Sequence, residues 1–256
     1  MKDNQLKPYG TVLIKAAKIL DCLAETTGDV TLKEVAELSG LTTSTALKIL
    51  DTLILIGYVT RNEKSKTYYL GPSIVKYSQV YSSNSMLKNI AEPSLEKLQL
   101  EVDETIHLGM SNNNELIYID KLEPKEKSIY MSSKVGARKP LYSTGMGKVF
   151  LSAYNDEELD HYFKTVPLQA YTENTITNKF LMKKELQKIK ETNIAYDDEE
   201  MEEDCYCIAM PIMTKQGRIE GAFSVSMPKF RVNEEFRNYV IDNMLEAKNT
   251  IEKNLN

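Results

Sequence analysis

The sequence predicts an α+β protein: an N-terminal winged helix-turn-helix followed by a larger mixed domain. Two observations predict it. The first 72 residues carry helical apolar stripes and then two short strand-like runs. The remainder runs helix, strands, helices, hairpin, helix, the element order of an α+β unit. With 256 residues, 42% of them hydrophobic, the chain can build one large core or two modest ones. The boundaries expected are 1–71 for the winged helix, 72–85 for a linker helix and hinge, and 86–256 for the second domain.

The elements follow from pattern. Val12, Ile14, Ala17, Ile19, Leu20 and Leu23 recur at helical spacing up to a breaker at 26–28. Thr31 with Glu34 is a capping box that opens a short second helix, which Gly40 ends. Thr42 or Thr43 caps a third helix with Ala46, Ile49, Leu50 and Leu53 on its buried face. Thr43, Ser44, Leu47, Lys48 and Asp51 lie opposite. Strands at 58–60 and 67–70 flank a polar hairpin tip at 61–66. A connector helix at 73–82 and a hinge at 82–85 come next, then a helix at 86–100 interrupted by Pro93. Strands are expected at 105–110, 116–121 and 129–133, with a turn at 112–114. Helices at 145–153, 156–164 and 178–192, a possible strand at 193–196, strands at 207–213 and 218–227, and a last helix capped by Asn233 complete the chain.

Charge separates the halves. Residues 1–72 carry nine Lys/Arg against eight Asp/Glu, and the remainder 23 against 29, so the net −5 belongs to the second part. A few cations on one face still suffice to grip phosphate. No apolar run approaches the roughly 18 residues of a membrane span, and the start MKDNQLKPYG has no signal-peptide pattern. Three cysteines make no disulfide framework, so a cytoplasmic location is the default.

Several constellations carry chemistry. In a helix-turn-helix the second helix of the pair enters the major groove. Thr43, Ser44, Thr45 and Lys48 are therefore candidates for base and phosphate contacts, with Arg61, Lys64 and Lys66 on the wing. The plainer alternative is a trihelical structural module with a solvated loop. A Gly-rich turn before a helix, 140–148, offers amide groups to an anion, or is simply a tight turn. It is neither a Walker loop, since Tyr142 stands where the first glycine would be, nor a dinucleotide fingerprint, since Phe150 takes the third glycine's place. Cys205 and Cys207 are read as facing opposite sides of a strand, which excludes a shared metal; buried thiols are the bland reading. Only His107 and His161 are available as bases, so no catalytic dyad is expected. Asp197 opens an acidic run and is a candidate to turn inward, while Ser224 and Ser226 share one strand face. No cofactor and no metal are expected.

The segments LTTSTALKILDTLILIGYV, YYLGPSIVKYS, TIHLGM, LIYIDKLE, SKVGARKPLYSTGMGKVFLS, YDDEE, CIAMPI and GAFSVSMP, in this order over residues 12–252, resemble the IclR family of bacterial transcription regulators. TIHLG and PLYST are similar to the KdgR branch, whose members answer to 2-keto-3-deoxygluconate and related sugar acids. The resemblance implies a linker helix that helps dimerisation and a GAF-like effector-binding domain. By position it assigns the effector pocket to Gly145, Met146, Asp197, Cys207, Ser224 and Ser226. The chain departs from the family at Thr43 and Lys48, where a basic residue and an Arg are usual, and at Leu47, which replaces His or Tyr. It departs again at Asp204 and Tyr206, which replace Gly and Arg.

The expected function is a DNA-binding regulator, a repressor whose operator affinity is set by a 2-keto acid or keto sugar acid. A homodimer or tetramer on a palindromic double-stranded operator follows from twofold symmetry. The alternatives are a regulator with an uncharged or aromatic effector, a sensor whose helix-turn-helix makes only protein contacts, and an enzyme acting on a keto acid.

Overall fold

The computed structural model describes residues 9–26, 28–126 and 131–255. They fall into two compact units that divide between Asn84 and Ser85.

The first unit is built from α1 (Thr11–Glu25), β1 (Val30–Thr31), α2 (Leu32–Leu38), α3 (Thr43–Leu55), β2 (Val59–Asn62), β3 (Thr67–Leu70) and α4 (Ser73–Asn84). The capping box at α2 is present: Thr31 Oγ1 accepts from the Glu34 amide, and the Glu34 carboxylate accepts from the Thr31 amide. Thr42, not Thr43, caps α3 and accepts from the Thr45 amide. Gly40 ends α2 with a φ of 66°, which a side chain rarely tolerates. Ile19, Val35, Ala46, Leu50, Val59 and Tyr68 form the core of this unit. That core reaches α1 only from Ala16 onward, so Val12 and Ile14 are exposed rather than part of the buried stripe. The short β1 pairs with β3, which completes a three-stranded antiparallel sheet in the order β1-β3-β2.

The second unit holds α5 (Met86–Val102), β4 (Thr105–Asn112), β5 (Glu115–Leu122), β6 (Arg138–Pro140), α6 (Gly145–Ser152), α7 (Asp156–Thr165), α8 (Lys179–Thr192), β7 (Ala195–Asp198), β8 (Cys205–Met213), β9 (Ile219–Pro228) and α9 (Glu234–Leu255). Its six strands make one antiparallel sheet in the order β6-β5-β4-β9-β8-β7. Alternation along each strand splits the core. Ile106, Leu108, Ile208, Met210, Phe223 and Val225 face α5 and α9. On the opposite face Ala195, Ala209 and Ala222 are small, which lets α6 lie close against the sheet, with α7 and α8 completing that layer. Asn113 and Asn114 both have positive φ and make the two-residue β4–β5 turn, the conformation Asn tolerates best after Gly.

Several expectations are corrected. The strand at 129–133 is not found: 129–130 lie outside the described residues, and 131–133 are not in a strand. The sheet edge is instead β6, which pairs with β5 and ends at Pro140, where a missing N–H is tolerated. The connector helix runs on to Asn84, so the break expected at 82–85 is narrowed to Ser85, which caps α5. Of the side chains at 82–84 nothing is described. Helix α5 continues through Pro93, because its buried face of Leu87, Ala91, Leu95, Leu98 and Val102 holds it to the sheet on both sides of that residue. The strand expected at 193–196 starts two residues later, since Asn193 adopts the left-handed conformation that ends α8.

Candidate functional site

The side of α3 opposite its buried stripe is open. Thr43, Ser44 and Lys48 are exposed, and Thr45 is partly buried with its hydroxyl 2.9 Å from that of Thr42. Leu47 shares this face. The wing differs from expectation at one residue. Arg61 belongs to strand β2, opposite Tyr68, and not to the turn; its guanidinium lies over the Tyr68 ring at 5.8 Å. The tip itself is shaped by Asn62, whose side-chain oxygen accepts from the amides of Lys64 and Ser65. Glu63 draws on two of the three cations: Lys66 Nζ is 2.9 Å from it and Arg61 Nε 4.0 Å. These neighbours hold the Glu63 carboxyl below its ordinary range, with the Lys66 hydrogen bond the larger cause. Lys64 and Lys66 are exposed.

The second site is a polar row on the α6 face of the large sheet. Register sets it: Asp197 stands beside Cys207, Cys207 beside Ser226, and Ser226 beside Thr105. One step along, Ala209 stands beside Ser224, Ser224 beside His107, and His107 beside Lys121. Directly paired residues share a face, so seven polar side chains converge on this side, while the opposite face is mostly apolar. Gly145 closes the row from above. A Cβ there would lie 3.2 Å from Ala209 Cβ and 3.7 Å from the Asp197 amide nitrogen. The structure thus brings Gly145, Asp197, Cys207, Ser224 and Ser226 together. Met146 points away, into the apolar layer, with its methyl beside Gly109.

Two features restrict what the helix start can offer. Gly147 donates its amide to the Thr144 side chain at 3.1 Å, so it is already used. Asp197 Oδ1 accepts from the amides of Glu200 at 2.8 Å and Met201 at 3.3 Å, which commits one carboxylate oxygen to its own loop. Burial pushes the Asp197 carboxyl up to about 6 despite those bonds and nearby Lys148.

The sequence reading missed several members of this site. His107 is buried, with Nδ1 3.2 Å from Ser226 Oγ and Nε2 2.6 Å from Ser133 Oγ. Burial, and to a smaller extent Lys121, push its pKa down to about 3, so it is neutral at pH 7. Lys121 donates to the carbonyls of Met131 and Ser133 and so ties residues 131–133 across the row. Lys148 of α6 is fully buried in an ion pair with Glu200, whose carboxyl burial raises to about 7 against the pull of that lysine. Thr105 Oγ1 is buried, and among the described residues it has no hydrogen-bond partner. Register with Ser226 and Ser224 was the available signal for Thr105 and His107, but it needs the strand pairing.

Cys205 and Cys207 do not face opposite sides. Residues two apart on a strand share a face, and their sulfurs are 3.7 Å apart.

The family description for the bacterial transcriptional regulator IclR C-terminal domain matches residues 79–253, and that for the IclR helix-turn-helix domain matches residues 12–63. The chain belongs to the IclR family. An uncharacterized HTH-type transcriptional regulator of Haemophilus influenzae is 34% identical over 87% of this chain and 84% of its own length. The HTH-type transcriptional regulator KdgR of Escherichia coli is 30% identical over 91% and 88%. Among solved structures, the Thermotoga maritima IclR superposes with a TM-score of 0.74 at 34% identity, covering 96% of this chain and 99% of that one. This IclR-family chain is accordingly a DNA-binding transcription regulator with a helix-turn-helix domain followed by an IclR-type C-terminal domain. No helix among the described residues is long and apolar enough to cross a membrane.

Proposed function

We propose that the protein is a cytoplasmic repressor that releases its operator in response to a small organic acid of the 2-keto acid or keto sugar acid class. One observation carries the effector reading. A buried, unpartnered hydroxyl costs free energy, and Thr105 Oγ1 is such a group at one end of a row that also holds Ser226, Ser224 and neutral His107. A ligand carboxylate would accept from these donors. At the other end Asp197 and the Gly145 amide suit ligand hydroxyl or keto oxygen. Thr43, Ser44, Thr45 and Lys48 would read the major groove of double-stranded DNA, while Arg61, Lys64 and Lys66 hold backbone phosphate beside it.

Two copies on a palindromic operator are the assembly we infer. Val75, Tyr77, Val80 and Tyr81 of α4 are each more than half exposed, more apolar surface than a solvated helix usually shows. Calorimetry with pyruvate, glyoxylate and 2-keto-3-deoxygluconate tests the effector. In Ser224→Ala/Ser226→Ala the acid should lose roughly 1.5–3 kcal/mol for each charge-assisted bond removed. Asp197→Ala should weaken sugar acids more than pyruvate. Normal acid binding by the double variant, or an uncharged aromatic found as the effector, would overturn the pocket chemistry and leave the regulator standing.

A further inference from the structure

We propose that Cys205, Cys207 and Met131 form a binding site for a soft monovalent cation, with copper(I) as the natural candidate. The Cys205 sulfur lies beside both of the others. Cys205 Sγ is 3.7 Å from Cys207 Sγ and 3.6 Å from Met131 Sδ. Ligands bonded at about 2.3 Å to one ion stand roughly 3.8–4.0 Å apart, so small rotations would admit it.

The donor set selects the ion. Among the described residues no group of three His, Cys, Asp or Glu side chains is placed to hold a metal, so the donor sets that zinc sites are built from are not assembled here. Thiolate and thioether together are the ligands of copper(I). Both cysteines are partly exposed as residues, which leaves the ion a way in. Asp197, paired in register with Cys207, adds a carboxyl on the same face.

A disulfide is the competing product of such a pair, and strand geometry works against it. Cys205 and Cys207 are both in register with β9, opposite Pro228 and Ser226, which keeps β8 extended between them. Two residues of extended strand separate the Cα atoms by about 6.6 Å, at the far end of the 4.4–6.8 Å disulfide range. A bridging ion needs no such approach. Met131 is held in place from its backbone, where its carbonyl accepts from Lys121 Nζ at 2.7 Å. Binding would displace the thiol protons to solvent, so affinity should rise with pH.

The site shares Cys207 with the proposed acid pocket but rests on the sulfurs alone, so a titration without acid or DNA separates the two readings. The test is an anaerobic titration of the reduced, full-length protein with copper(I) supplied as a coloured chelate, following copper withdrawn from the chelator and the ultraviolet thiolate–copper band. One ion per chain is expected. Cys205→Ser and Cys207→Ser should each lower affinity by more than the roughly 10–100-fold that a supporting group costs, and Met131→Leu by roughly tenfold. Cys22→Ser should leave binding unchanged, because Cys22 lies in the other unit. Circular dichroism confirms that each variant is folded. Failure to withdraw copper, or uptake that survives Cys205→Ser, would overturn the site; unchanged affinity in Met131→Leu would overturn its three-sulfur form.

Discussion

Glu63 shows how one side chain tempers a basic wing. It neutralises part of the charge of Lys66 and Arg61 without touching α3. Glu63→Gln should therefore strengthen binding to any DNA sequence and steepen the salt dependence by up to about one unit. A gel-shift titration over salt checks this, and an unchanged slope would contradict it. Asp197 and Glu200 make a second residue-scale case. Burial raises them to about 6 and about 7, so the folded chain keeps protons that the unfolded chain releases from about pH 4 upward. Their contribution to stability is present at low pH and is lost as pH rises through the folded values. Asp197→Asn keeps an oxygen for the Glu200 and Met201 amides and removes the charge. It should raise stability at pH 8 by up to about 3 kcal/mol and by little near pH 4. Thermal melts at the two pH values decide; an equal difference at both would refute the linkage.

At the scale of elements, α6 depends on the absence of a side chain at Gly147. A Cβ there would lie 2.2 Å from the Leu141 carbonyl oxygen. Gly147→Ala should force the turn at 141–144 away from the start of α6 and cost about 3 kcal/mol or more, read as a drop in denaturation midpoint. Loss of the α2 capping box is milder: Thr31→Ala should cost about 1 kcal/mol. The capping box, the α3 stripe and the alternating strands were legible in the sequence because each rests on contacts within a few residues. The third strand was misplaced for the opposite reason. β6 has only three residues and owes its strand state to pairing with β5, which leaves no local pattern to read.

For the whole molecule, the proposed dimer ties DNA affinity to assembly. If α4 supplies the interface, a fragment of residues 1–70 should bind operator far more weakly than the full chain, because linked half-sites raise the effective concentration. Equal affinity in a gel-shift comparison would contradict the dimer. An acid can change DNA affinity only through its preference between the DNA-competent and incompetent states. We propose that Ser85, where the two units divide, is the position at which a change of conformation would reach α4.

Periodicity and capping, together with the ordered run of family motifs, determined the winged helix, the α+β class and the regulator family, since all of these are written in spacings along one chain. The faces of Ser224 and Ser226 followed from strand period alone, and the same period places Cys205 beside Cys207. Tertiary structure decided the rest of the site. Thr105, Ser226, Cys207 and Asp197 come from four different strands, and only the β4-β9-β8-β7 register sets them side by side. The burial that shifts Asp197, Glu200 and His107, and that encloses the Lys148–Glu200 pair, arises where α6 settles on the small side chains of the sheet. Neighbours so distant in sequence leave no trace in local spacing, because what joins them is hydrogen bonding between strands and the packing of one layer on another.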